Sequence, residues 1–410
     1  MANATGVNVV ASIKKQGAKG TPAVGSGGQQ VRRTTFPLDY KKLTYQSAEI
    51  VTTMQVSDYR HGVQYAEGKY TDELSPGSHK LWMPSLLRRD YTVGATTGAL
   101  ITVAAAAGPP GTFTRSAGSF LTDGFKIGDV VSWTGWVVAT ANNARNYRIT
   151  ALTATVMTVG TAATGAAGGA EAVVVRAAGD SVTCSVRGKK TFIPTTSQTA
   201  DWWTVEKWFS DIAQSELFTD CKVVDGAANL PATGLATIDF GIKGLGLTRA
   251  TAQALTTPTA ISTTKATAAV NGTLRAGGVD LAIVTSMSLN INTSAAFAPP
   301  TVGSNLYPDI LYGRTVVTGQ FTAMFADNVL RDIFVDETES TLNVTLTTDN
   351  TITADVVSIT MSRIKFAGAA KSDVELAVIQ TFPFVALLDN NGGAGLATEN
   401  TTISWQDTAA

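Results

Sequence analysis

Histidines, cysteines and clustered carboxylates supply most site chemistry, and this chain is poor in all three. It has two histidines, His61 and His79, and two cysteines, Cys184 and Cys221, in 410 residues. His61 sits in the turn-like run Asp58-Tyr59-Arg60-His61-Gly62, and His79 is expected on a short helix. Neither has a second ligand at metal spacing, so both read as ordinary surface or packed histidines. Neither cysteine has a histidine nearby in sequence, and the pair forms no disulfide framework. Asp336, Glu337 and Glu339 have the chemistry to hold a cation or act as an acid/base pair, but such a trio is more often a solvated loop. The glycines of Gly25-Ser26-Gly27-Gly28 lack the Lys-Ser/Thr that completes a phosphate loop. No Gly-x-Ser-x-Gly and no dinucleotide fingerprint occurs. These residues predict no cofactor, no metal and no catalysis, and they favour a structural protein.

Composition points the same way. Charged residues are 15% of the chain, against a usual share of about a quarter. A surface with so little charge is expected to be covered by partners. With 32 acidic and 31 basic residues the net charge is -1, which predicts no general attraction to nucleic acid. No apolar run is long enough to span a bilayer. Lys14 and Lys15 follow the short apolar run 9–13, the wrong order for a signal peptide. The length predicts two or three domains.

The elements show an internal echo. Gly68-Lys69-Tyr70 leads through Leu74 to Ser75-Pro76, and Gly319-Gln320-Phe321 leads through Phe325 to Asp327. Each copy places a glycine, then an aromatic, then an apolar residue at period two, the mark of a half-buried strand. A short helix is expected after each, capped by Ser75 with Pro76 at its first position, and by Asp327. Val329, Leu330, Ile333 and Phe334 share a helical face. Leu81, Trp82, Leu86 and Leu87 do so less cleanly, and Pro84 should kink that helix.

In chain order, residues 1–29 read as a flexible, glycine-rich arm. A long hairpin is expected across 49–74, turning at 58–62. Residues 95–184 are rich in Ala, Thr, Gly and Val. They carry regular turn signals at Asp123-Gly124 and Gly128-Asp129, with short strands including 172–175 and a loop at 165–169. This stretch predicts a small all-β barrel or sandwich inserted into its host. Residues 202–209 fit a strand better than a helix because of their aromatic and β-branched content. Residues 248–267 read as a Thr/Ala-rich linker. Beyond it Ile283, Thr285, Met287, Leu289 and Ile291 alternate, and further strands follow to 388. The fold class is mainly β: two tandem sandwich or barrel units, each with a short flanking helix, plus the insertion. The first unit takes 30–94 and 185–247, and the second 268–410.

Together these features resemble the major tail tube proteins of long non-contractile-tailed, siphovirus-like bacteriophages. The resemblance rests on Asp58-Tyr59-Arg60-His61-Gly62 leading into Gly68-Lys69-Tyr70 and Glu73-Leu74-Ser75-Pro76. It is supported by the run from Thr204-Val205-Glu206-Lys207 to Ile212 and by the run from Tyr312-Gly313-Arg314 to Gly319. It implies a virion protein, made in the host bacterial cytoplasm, whose sheet joins its neighbours' sheets in stacked rings that conduct DNA. It implies tape measure, tail terminator and tail tip proteins as partners, with DNA only in transit and no membrane. Two units per chain imply homotrimeric rings of pseudo-sixfold symmetry. The arm and hairpin are expected to carry ring stacking, with Tyr59, Arg60, His61, Gln64, Arg32 and Arg33 as candidate contacts. The rival reading is a surface adhesin or carbohydrate-binding β-sandwich protein, using Trp133 and Trp136.

Overall fold

Period-two alternation becomes long antiparallel strands, and the chain is mainly β. The computed structural model describes residues 3–98, 101–108, 110–161, 173–177, 179–231, 233–281, 284–372, 377–393 and 395–410. In the first half, Leu38–Gln46 pairs with Tyr59–Glu73, which pairs with Thr237–Gly244. Thr237–Gly244 pairs with the later part of the long strand Gln214–Pro231. The earlier part of that strand lies between Trp203–Phe209 and Gly246–Ala250. Val9–Lys15 adds to the outside of Trp203–Phe209.

The second half repeats this order. Val284–Asn292 pairs with Val316–Met324, which pairs with Ile379–Ala386. Ile379–Ala386 pairs with the end of Val356–Phe366. The start of that strand lies between Ser340–Thr347 and Ser404–Asp407. Gly272–Ala276 adds to the outside of Ser340–Thr347. A short helix follows the equivalent strand in each half, Trp82–Leu87 and Val329–Val335.

The echo residues hold equivalent places. Tyr70 lies opposite Phe240 and Phe321 opposite Phe382 in their ladders. Each anchors an aromatic core. Tyr70 stacks on Trp82 at 5.2 Å, and Trp82 lies 6.1 Å from Phe240. Phe321 stacks on Phe382 at 5.1 Å, with Phe366 at 5.8 Å. Each such ring contributes about 2–3 kcal/mol by leaving water. The two glycines are there for close approach. A Cβ on Gly68 would lie 2.2 Å from the Pro37 carbonyl oxygen, and one on Gly319 would lie 2.4 Å from that of Ser288.

Between Ile101 and Val186 six strands close into a barrel. Its core is aromatic: Phe113 lies 4.7 Å from Trp133 and 5.1 Å from Tyr147, and Phe120 packs on Phe125. Trp133 and Trp136 are buried there, so neither offers a face on which a sugar could stack. This removes the residues on which the carbohydrate-binding alternative rests.

Several local expectations are corrected. Residues 1–29 do not form a free arm throughout. Val9–Lys15 is a sheet strand with Ala11, Ser12 and Ile13 buried, because its apolar run finds a partner about two hundred residues away. The hairpin does not turn at 58–62. Tyr59, Arg60 and His61 already pair with Gln46, Tyr45 and Thr44, and the turn is the loop 47–58. Ser75 does not cap a helix. Its hydroxyl accepts from Arg32 and contacts Ser78, turns occupy 76–81, and the helix begins only at Trp82. Pro84 therefore falls in the first turn, where a missing N–H costs little. Asp327 lies one residue before the N-cap, Asn328, which makes no side-chain cap bond, but the Asp327 carboxylate still accepts from the Val329 N–H at 3.0 Å. His79 lies in the turns before the first helix, not on it. Val173, Val174 and Val175 are outside any ladder. Residues 165–169, Ala172 and Ile283 lie outside the described residues.

The stretch 248–267 is a strap laid along the first half. The buried Glu206 carboxylate accepts from the N–H groups of Ala254 (2.6 Å) and Leu255 (2.7 Å), and from the Ser215 hydroxyl. Thr259 donates to the Gly28 carbonyl and Thr267 to that of Leu74.

Candidate assembly surface

The side chains flagged for chemistry are spread through the fold. His79 is buried, with its ring against Tyr70 and Phe240 and Nε2 near the Glu73 carbonyl (3.3 Å). Burial lowers its pKa to about 4. Cys184 lies in the barrel core and Cys221 in the first sheet, both buried, and burial pushes both thiols up. Glu339 makes a bidentate pair with Arg363, both bonds at 2.7 Å, which holds its carboxyl low. Glu337 is exposed, 4.0 Å from Lys365. Among the described residues no group of three potential ligands has metal-site geometry.

What the fold does build is a sheet with two different faces. Strand alternation puts Leu38, Tyr70, Phe240, Ala228, Leu289, Phe321 and Phe382 on the core side. The other side carries Asp39, Glu67, Lys69, Asp239, Asp225, Asn290, Asn292, Thr318 and Gln320. Charges on it are largely paired: Lys69 with Asp239 at 2.7 Å and Lys41 with Glu67 at 3.3 Å. Burial pushes the Asp225 carboxyl up, and Lys69 and Lys243 pull it back. A face of paired charges, amides and hydroxyls offers little net grip to a polyanion.

The two halves meet in one continuous ladder. Val284–Asn292 pairs along the later part of Gln214–Pro231, from Asn292 opposite Asp225 to Ser286 opposite Pro231. The loop 293–315 then folds back over the first half. The Gln64 N–H donates to the Asn305 carbonyl at 2.9 Å. Phe297 stacks on Tyr307 at 4.7 Å and meets the edge of Tyr65 at 5.1 Å. Lys222 donates to the Ile310 carbonyl at 2.6 Å and lies 3.9 Å over Trp202. Desolvation lowers the Lys222 pKa, and Asp309 opposes that shift.

The ladder that joins the two halves ends, on each side, in an open strand edge. Among the described residues no strand pairs with the outer edge of Leu38–Gln46. The same holds for the edge of Ala370–Lys371 that faces away from its partner Ile379–Ala386. Next to the first edge the loop 47–58 stands clear of the chain, with Ile50 100% and Met54 96% exposed.

The six candidate contacts divide between these regions. Tyr59, Arg60 and His61 are exposed at the base of the loop, with the Tyr59 and His61 rings 5.7 Å apart and Arg60 bound to Asp58 at 2.7 Å. Gln64 is engaged by the loop 293–315 of its own chain. Arg32 donates to Ser75 and to the Thr264 carbonyl of the strap. Arg33 donates to the Gly6 and Val9 carbonyls. The open edges themselves escaped sequence reasoning, since an unpaired edge is defined by strands far away in the chain.

The family model described as phage tail tube protein matches residues 6–386. No curated protein sequence matches the chain.

Proposed function

The chain belongs to the phage tail tube protein family, and from this we propose that it is the repeating subunit of a siphovirus-like tail tube, self-assembled from stacked rings of three chains. It is a structural protein of the virion tail. DNA passes through the lumen on ejection, and tape measure, tail terminator and tail tip proteins bound the tube. Each chain supplies two tube units, 30–94 with 185–247 and 268–410, and the barrel inserted at 95–184 faces outward.

One observation carries this reading: the strand-pairing order of the first half recurs in the second, helix included. Two like units joined head to tail make a heterologous contact, and such contacts form a ring when their rotation closes. Closure also removes the exposed sheet edges that are a hazard in a free chain. The polar face, with its paired lysines, suits a wall past which DNA must slide without being held.

Electron microscopy of the purified full chain, reconstructed without imposed symmetry, tests it. Tubes with three protrusions per ring are expected, one per barrel. Six protrusions, or monomers at all concentrations, would refute it.

A further inference from the structure

Resting on that reading, we infer that the joint between chains repeats the joint already present inside each chain: the open edge of Leu38–Gln46 pairs with the open edge beside Ala370–Lys371 of the next copy. The alignment of the two halves is fixed independently by several contacts. Gly68 and Gly319 each receive a neighbouring carbonyl, from Pro37 and from Ser288. Leu38 lies opposite Gly68, and Leu289 opposite Gly319. Leu38 therefore corresponds to Leu289 and Asp39 to Asn290. Burial agrees, because Phe36 and Leu38 are buried and Asp39 exposed, as Met287 and Leu289 are buried and Asn290 exposed.

The receiving strand aligns through the ladder on its other side. Asp239 pairs with Ala227, and Thr381 with Ala370. Since Phe240 corresponds to Phe382, Ala370 corresponds to Ala227. Inside the chain Asn290 lies opposite Ala227. Between chains Asp39 then lies opposite Ala370, and Leu38 opposite Lys371.

The hydrogen-bonding groups suit this register. Thr35 and Thr71 exchange both backbone hydrogen bonds. By alternation, Phe36, Leu38 and Tyr40 turn their backbone groups to the open edge, where the Leu38 N–H donates to the Phe36 carbonyl at 2.9 Å, a local bond that the incoming strand must replace. The Leu38 carbonyl already accepts from Lys207 at 2.6 Å, and its second lone pair serves an incoming strand. Asp39 and Ala370 form a non-hydrogen-bonded pair in this register, with Cα atoms about 4.5 Å apart, within disulfide reach. Both residues are exposed, and the native Cys184 and Cys221 are buried.

The test uses two full-length variants, Asp39→Cys and Ala370→Cys, assembled separately and as an equal mixture, then oxidised and run on a non-reducing gel. The mixture should give covalent dimers, and neither variant alone should. The double variant should give dimers and trimers and nothing larger. Tubes that form in the mixture without cross-links would overturn this joint while leaving the tube reading intact. Self-linking of either single variant would overturn it too, since it would mean an isologous contact. Failure of the parent chain to form rings would overturn both the joint and the tube reading.

Discussion

His79 is sealed against Tyr70 and Phe240, and burial lowers its pKa to about 4 from the ordinary value of about 6.5. The unfolded chain therefore binds a proton more readily between those values, and stability falls as pH drops from about 6.5 to about 4. Asp407, raised to about 6 by burial, acts in the opposite sense: it costs stability as pH rises from about 4 to about 6. Comparing His79→Gln with the parent isolates the histidine. The parent should lose up to about 3 kcal/mol more than the variant on acidification across this window. Urea unfolding at about pH 7.5 and about pH 4.5 measures this, and equal losses would refute it. Glu206 is a second such residue. Its carboxylate holds the strap through the Ala254 and Leu255 N–H groups. Glu206→Ala should cost about 3 kcal/mol and open 248–267 to limited proteolysis, read by mass spectrometry of the first cleavage products. Nothing in the local sequence marks Glu206 as the anchor of the strap, because its strap partners lie 48 and 49 residues away.

The inserted barrel is braced as well as tethered. Lys190 reaches Asp129 of the barrel at 2.5 Å, and the Gln406 amide bonds both backbone groups of Val130. Replacing 95–184 with a Gly/Ser linker should leave tubes able to form but lower stability by about 3 kcal/mol, since a buried lysine loses its nearer carboxylate. Adding Lys190→Met should recover most of that loss. Denaturant melts of the parent, excised and rescued chains decide it, and an excised chain as stable as the parent would show that the barrel braces nothing. The strands were legible in the sequence where alternation is long, as at Gly68 and Gly319. Whether the insert closes as a barrel or stacks as a sandwich was not, because that depends on which strand meets which. Val9–Lys15 was missed for the same reason: seven residues with an apolar run do not name a distant partner. The first helix start was misread because Ser75-Pro76 has the composition of a cap, while tertiary contacts with Arg32 claim the hydroxyl.

For the molecule as a whole, the two halves are held by more than the chain that links them. Pairing of Val284–Asn292 with Gln214–Pro231, and the aromatic contacts of loop 293–315 with Tyr65, bind them directly. A protease site inserted at Thr257, an exposed position in the strap, should give two fragments that co-elute on native gel filtration and assemble as the intact chain does. Separation of the fragments under native conditions would show that the strap, not the ladder, carries the union. Chemistry at this scale was legible mainly by what was missing: scarce histidine and scarce charge pointed to a building part, while the surfaces used in building came from topology.

That internal ladder also bears on how rings are born. It is completed while one chain folds, so it never waits on a collision. In the proposed ring of three chains half of the seams would arrive ready-made, at an effective concentration set by the strap and not by the solution. Ring birth would then scale with the third power of protein concentration, where six separate units would require the sixth. A chain of this kind keeps nucleating at dilutions that would stall a single-unit protein, and early in infection, when copies are few, tubes would start sooner.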